Sequence, residues 1–206
     1  MSTLKLDKQY FINVIMLPLL FICISFAITS FKPEAPILFR YDTVAVQNGD
    51  WWRLLTAHFT HSTWNHLALN MLGLIIMSYL FSQVATWWRW LSLMIFVSLF
   101  CSICFYLFQG DEYIYVGMSD TLHGIIIAYA LLDYKNFKLG SSILIAGTLG
   151  KVIWEQTPWY IEASAEFIGG RVATESHFYG TIGGLLLGLV FLFLEKQKSQ
   201  KLPEEN

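Results

Sequence analysis

The distribution of charge along this chain limits its folding more than any other feature. Between Lys8 and Lys32 lie 23 uncharged residues, between Arg53 and Arg89 there are 35, between Arg89 and Asp111 there are 21, and between Glu175 and Glu195 there are 19. A helix that crosses the hydrocarbon core of a bilayer needs about 20 mostly apolar residues. The gaps therefore predict spanning helices near 10–30, 62–82, 88–108 and 176–194. Two shorter runs, about 116–132 with Asp120 inside and about 139–158 with Lys151 and Glu155 inside, are long enough to span if their charges sit near an end or face the protein. The expectation is an all-α membrane protein, a single domain over 1–206 built as a six-helix bundle. It has an ordered outer loop at 31–57 and a short cytoplasmic tail at 195–206.

Composition agrees. The chain is 55% hydrophobic and 14% charged, against about 25% charged residues in soluble domains. A net charge of −2 gives no basic footprint for nucleic acid, so lipid is the expected environment and nucleic acid is not an expected partner. Cys23, Cys101 and Cys104 lie in apolar runs without ligand or disulfide spacing and read as buried small hydrophobes. The apolar stretch after Lys5 and Lys8 is too long for the core of a signal peptide.

Basic residues set the expected orientation. With the N-terminus inside, the inner segments hold Lys5, Lys8, Arg89, Lys135, Lys138, Lys196, Lys198 and Lys201, and the outer ones hold Lys32, Arg40, Arg53, Lys151 and Arg171. Both termini are then cytoplasmic. In the outer loop, Pro33, Pro36 and Asn48-Gly49 precede Trp51-Trp52-Arg53, a pattern for an ordered interfacial segment that Arg53 braces. The acidic stretch 159–174, broken by Gly169-Gly170, reads as a loop able to move, the aromatic run 87–90 as an interface anchor, and the polar tail after Leu194 as frayed.

Polar side chains inside spans are costly and mark function by default. In this topology His66 and Asn70 on the second span, Ser119 and His123 on the fourth, and His177 on the sixth fall at one depth, near the outer surface. His66 and Asn70 are four apart and share a face, as do Ser119 and His123. His177, Gly180, Gly184 and Gly188 form a stripe whose glycines let another backbone approach, with Gly117 and Gly124 adding small surface beside the serine. A helix packed this closely can hold His177 against Ser119. A serine with a general base at hydrogen-bond distance is a nucleophile for acyl transfer, and Asn70, His66 and the Ser119 N–H are candidate donors for the resulting oxyanion. His58, His61 and His66 lack the spacing of a zinc-protease motif, so neither metal nor other cofactor is expected. Lys151 and Glu155 are four apart and are expected to neutralise each other, with a substrate or gating role as the alternative.

These residues carry a resemblance. Trp52-Arg53-Leu54-Leu55-Thr56, Ala57-His58-Phe59-Thr60-His61 and His66-Leu67-Ala68-Leu69-Asn70 resemble the loop and second helix of rhomboid intramembrane serine proteases. Gly117-Met118-Ser119 resembles their nucleophile motif, and Ser176-His177-Phe178-Tyr179-Gly180 with Gly183-Gly184 their last-helix motif, the likeness running from about 48 to 194. His123 one turn after the serine, and Lys151-Val152-Ile153-Trp154-Glu155-Gln156, are similar to the rhombosortase branch. The resemblance implies a rhomboid-like bundle in a bacterial inner membrane with its active site toward the periplasm. It also implies Ser119 as nucleophile and His177 as base in a dyad without a carboxylate, and His66 and Asn70 as oxyanion donors. By their positions beside the serine, Gly117 and His123 are expected to tune the site, with substrate contact or a polar bridge to a neighbouring helix as the alternatives for His123. The implied substrates are the Gly-Gly-containing C-terminal membrane sorting tails of exported proteins. The chain departs from the family at Asp120, where a small residue is usual; a carboxylate there is expected to tune the site or to disfavour an oxyanion. A non-catalytic relative that binds transmembrane segments is the competing expectation. A proton-coupled transporter fits less well, because the inner halves of the same spans are apolar or glycine.

Overall fold

Backbone polar groups of an apolar chain must bond to one another, and here they do so as helix, which makes up 75% of the computed structural model. The structure describes residues 10–31 and 33–201. Lys5, Lys8 and Lys32, part of the orientation argument, lie outside the described residues.

Helix α1 (Phe11–Ser30) opens with a π-helical stretch over Phe11–Met16. The connection that follows carries α2 (Glu34–Phe39), β1 (Tyr41–Asp42), α3 (Thr43–Gln47) and α4 (Arg53–Thr56). Helix α5 (Trp64–Leu80) is capped by Thr63, whose hydroxyl accepts from the His66 N–H at 3.1 Å. Then come α6 (Trp87–Phe108), β2 (Ile114–Tyr115), α7 (Ser119–Asp133), α8 (Lys138–Glu155), the short α9 (Ala165–Ile168) and α10 (Thr174–Lys201). Three helical stretches among the described residues, Phe11–Ser30, Trp87–Phe108 and Thr174–Gln200, are long and apolar enough to cross a membrane. Helix α5 has 17 residues and α7 only 15, while α8 carries Lys138, Lys151 and Glu155.

Helix α7 is the centre of the bundle, packed by α6, α8 and α10. Its contact with α10 is backbone to backbone. A Cβ placed on Gly180 would sit 2.0 Å from the Asp120 carbonyl oxygen, one on Gly184 2.1 Å from that of Gly124, and one on Gly188 2.9 Å from Ala128 Cα. Both series step by four, so the glycine stripe of α10 lies in register along α7. Gly184→Leu must push the two helices apart. Overpacking of a core typically costs about 1–3 kcal/mol, and the upper end or more is expected where the obstacle is backbone. The check is a thermal unfolding scan in detergent, with a lowered Tm.

Two sequence expectations change at the other end of the bundle. The run 87–90 is not wholly an interface anchor: Trp87 is 50% exposed, but Trp90 is fully buried and meets the Tyr129 ring at 5.2 Å. Four successive residues cover the whole helix circumference, so one of them has to face the core. The tail does not fray at Leu194, since α10 continues to Lys201. Buried Arg89 steadies it by pairing with Glu195 and donating to the Val84 carbonyl at 2.6 Å. Cys101 and Cys104 are buried as expected, whereas Cys23 is exposed on an outer face of α1.

The connection after α1 is pinned to the nucleophile segment. Strands β1 and β2 pair antiparallel, Tyr41 opposite Tyr115 and Asp42 opposite Ile114. Arg53 is buried and donates to the carbonyls of Ile37 and Arg40 at 2.8 and 3.0 Å and to Asp50 Oδ2 at 2.8 Å. The Gly117 N–H donates to the Ala57 carbonyl at 3.1 Å. Tyr113 donates to Glu175 Oε1 at 2.8 Å, tying β2 to the start of α10. Burial, and after it the Glu175 carboxylate, push the Tyr113 phenol well above its ordinary range, so it remains a donor.

Candidate active site

Helix α7 begins at Ser119, two residues after Gly117, which takes a left-handed conformation with φ of +123°. That turn leaves the serine in the first turn of a helix, where backbone N–H groups have no partner within the helix. Across the glycine contact, α10 brings His177 alongside, and His177 Nε2 lies 3.0 Å from Ser119 Oγ. This is hydrogen-bond distance for a general base and its nucleophile.

The second nitrogen of His177 is also engaged. Its Nδ1 lies 2.9 Å from Glu155 Oε2, and the Glu155 carboxylate is almost fully buried. The dyad without a carboxylate implied by the family resemblance therefore has a carboxylate beside it, supplied by the last residue of α8. Lys151, one turn earlier, bonds Glu155 Oε1 at 2.5 Å and reaches His123 Nε2 at 3.1 Å. The sequence signal was present, a Lys and a Glu four apart in an apolar helix. Taken as a pair that only neutralises itself, it did not indicate which ring the carboxylate would face.

His66 and Asn70 of α5 lie on the other side of Gly117. A Cβ on that glycine would come within 2.7 Å of His66 Nε2 and 3.7 Å of Asn70 Nδ2, so only glycine admits both. Asn70 Nδ2 is buried without a hydrogen-bond partner among the described residues. His66 Nδ1 is 3.1 Å from the Ser62 hydroxyl, which is also 3.1 Å from the Ile168 carbonyl. Ser62 and Thr63 both donate to that carbonyl, Thr63 at 2.8 Å.

His123 is placed by its ring, which stacks on His177 with centroids 4.2 Å apart, and by a 2.6 Å contact from its Nδ1 to the Ser119 carbonyl. Ser119, His177, His66, Asn70, His123 and Lys151 together line one cavity of about 550 Å³. The segment 159–174 contributes Ile168 and Arg171 to its lining. It is ordered by Val172 N–H donating to Glu162 and by Gly169 ending α9 at φ of +76°.

Asp120 departs from expectation. It does not line the cavity; one residue on from Ser119 it is turned about 100° around the helix. Its Oδ2 lies 2.8 Å from Nδ1 of His58, both side chains fully buried, and its Oδ1 accepts from the Thr121 N–H at 2.6 Å. His58 Nε2 meets Ser102 Oγ at 3.0 Å, and Ser102 donates its own proton to the Leu54 carbonyl at 2.7 Å. His58 must then donate from Nε2, with its Nδ1 facing the Asp120 carboxylate. The residue expected to tune the site instead anchors the α4 segment to α7.

Donor atoms of His123, Glu155 and His177 lie within 4.8 Å of one another, close enough to hold a cation. The Lys151 ammonium already stands among them, 3.4 Å from His177 Nδ1, and supplies the positive charge.

Comparison with known proteins agrees with this arrangement. The family model described as Rhomboid domain matches residues 48–193. A protein of Bacillus subtilis (strain 168), named "Putative rhomboid protease YdcA", is 26% identical over 174 residues, covering 82% of each chain. The matched region begins in the α4 connection and ends in α10, and so contains Ser119, His177, Glu155, Lys151, His66, Asn70 and His123: the chain belongs to the rhomboid family.

Proposed function

We propose that this protein is an intramembrane serine endopeptidase in which Ser119 is the nucleophile and His177 the general base. Asn70, His66 and the Ser119 N–H are the oxyanion donors. The observation that carries this is the 3.0 Å approach of His177 Nε2 to Ser119 Oγ inside the cavity that Asn70 and His66 also line. As Oγ bonds to the scissile carbonyl carbon, its proton passes to His177 Nε2 and the carbonyl electrons move onto the oxygen. Collapse breaks the C–N bond, and the leaving amine takes the proton from His177. Water then repeats the sequence on the acyl-enzyme and releases a carboxylic acid.

All six long helices cross the membrane in this proposal. At 1.5 Å per residue α7 is roughly 22 Å long against a hydrocarbon core of about 30 Å. With its far end at the inner surface, its first residue lies several ångströms below the outer headgroups, within reach of water. Both termini are cytoplasmic and the cavity opens toward the periplasm of a bacterial inner membrane.

The proposed substrate is a C-terminal transmembrane sorting tail with a Gly-Gly pair, carried by an exported protein. A helical peptide bond hides its carbonyl, and each glycine lowers helix stability by about 1 kcal/mol. A Gly-Gly pair therefore opens readily to the extended form that a serine can attack. The non-catalytic alternative leaned on Asp120, whose carboxylate is engaged with His58 away from the cavity. The test is co-expression with a tagged Gly-Gly-tailed export protein and mass spectrometry of its C-terminus. A new terminus near the glycines that requires Ser119 is expected; an intact tail with a functional enzyme would refute the substrate assignment. Asn70→Ala is expected to lower kcat by about 10²–10³-fold with KM little changed, read in proteoliposomes.

A further inference from the structure

We infer that Glu155 is a positioning residue for His177, and that Lys151 is the counter-ion that makes this possible inside the membrane. The inference deepens the proposed protease site, and its kinetic arm rests on that function.

Proton counting gives the reason. Glu155 Oε1 faces the Lys151 ammonium and Oε2 faces His177 Nδ1. An ionised carboxylate only accepts and an ammonium only donates. The 2.9 Å contact of Glu155 with His177 Nδ1 is shorter than the 3.4 Å approach of Lys151 to the same nitrogen, so the proton between Glu155 and His177 belongs to Nδ1, leaving a lone pair on Nε2, the nitrogen 3.0 Å from Ser119 Oγ. The same rule applies to His123. Lys151 donates to its Nε2, so Nδ1 keeps the proton and donates to the Ser119 carbonyl, 2.6 Å away. One lysine and one glutamate thus set the tautomers of two stacked imidazoles, and His123 remains neutral beside the ring that must become positive during reaction.

The pairing also meets the membrane constraint. A lone carboxylate in lipid is costly, and the lysine one turn away cancels it. Lys151 is half exposed at the cavity while the Glu155 side chain is nearly fully buried, so the acid is sheltered and the base faces the wet side. A structural ion pair would be served equally well by two uncharged groups, since replacing both partners of a buried pair is often neutral or stabilising. A positioning carboxylate would not.

The test is the double variant Glu155→Gln, Lys151→Met, which removes both charges together. In proteoliposomes its kcat is expected to fall by about 10²–10⁴-fold with KM nearly unchanged, and its unfolding temperature to stay near that of the parent. If the double variant unfolds at assay temperature, Glu155→Asp replaces it; restoring the carboxylate one methylene back is expected to recover at least tenfold over Glu155→Gln. A second readout needs no turnover. With ¹⁵N-labelled histidine, the five imidazoles are resolved by two-bond ¹H–¹⁵N correlation in micelles, and His177→Gln assigns its signal. The parent is expected to show His177 as the Nδ1–H tautomer, and the Gln variants a shift toward Nε2–H. A kcat within threefold of the parent in the double variant, no recovery in Glu155→Asp, or an unchanged tautomer would each overturn the inference. If the parent itself cleaves nothing, the protease proposal fails and the tautomer alone decides the role of Glu155.

Discussion

Ser119→Ala is expected to bring cleavage of a transmembrane substrate in proteoliposomes down to background, and His177→Ala to lower it by on the order of 10⁴–10⁶-fold. Both variants should keep the parent's unfolding temperature. The effect is large because the two groups act as one unit: without the imidazole the hydroxyl keeps its proton, and without the hydroxyl there is nothing to activate. Folding is spared because the helices are held chiefly by backbone contact. The α7–α10 contact runs through Gly180, Gly184 and Gly188 against Asp120, Gly124 and Ala128. Cleavage by Ser119→Ala at an undiminished rate would assign the nucleophile elsewhere.

A loss of fold without direct loss of chemistry is expected at the next residue. Asp120→Gly restores the small residue usual in the family, yet it is expected to destabilise the protein by about 3–5 kcal/mol, the cost of removing one partner of a buried pair. It removes the group facing His58 Nδ1, whose ring has no exposure to water. It also takes an acceptor from the Thr121 N–H. Adding His58→Phe to the same molecule should recover about half of the loss. The ring still packs parallel to Phe105, 6.5 Å away, and Ser102 still donates to the Leu54 carbonyl. The Thr121 N–H stays unsatisfied, which is why recovery is partial. Equilibrium unfolding in mixed micelles measures both variants, and additive effects of the two substitutions would contradict a coupled pair.

Helix positions were legible because charge spacing is a property of the chain alone. The run at 88–108 corresponds to Trp87–Phe108 and that at 10–30 to Phe11–Ser30. The fourth helix begins at Ser119, not near 116, because Tyr115 pairs with Tyr41 and Gly117 takes a positive φ. A two-residue pairing across 74 positions leaves no periodic trace. The approach of Ser119 and His177 could be anticipated from the glycine stripe, since three glycines at four-residue steps call for a close partner. Which way a single polar side chain turns could not. Spacing alone suggests that Asp120 tunes the site and that Glu155 pairs with Lys151 or serves substrate or gating, whereas packing turns Asp120 to His58 and Glu155 to His177. Helical spacing indicates which residues share a face, but not which helix covers it.

A serine-directed fluorophosphonate, added to the purified protein in lipid and followed by peptide mass spectrometry, tests directly whether Ser119 is an activated nucleophile. The expected result is one adduct, on the peptide holding Ser119, that disappears in His177→Ala although that protein remains folded. An unlabelled Ser119 in the folded parent, or labelling that persists without His177, would contradict it.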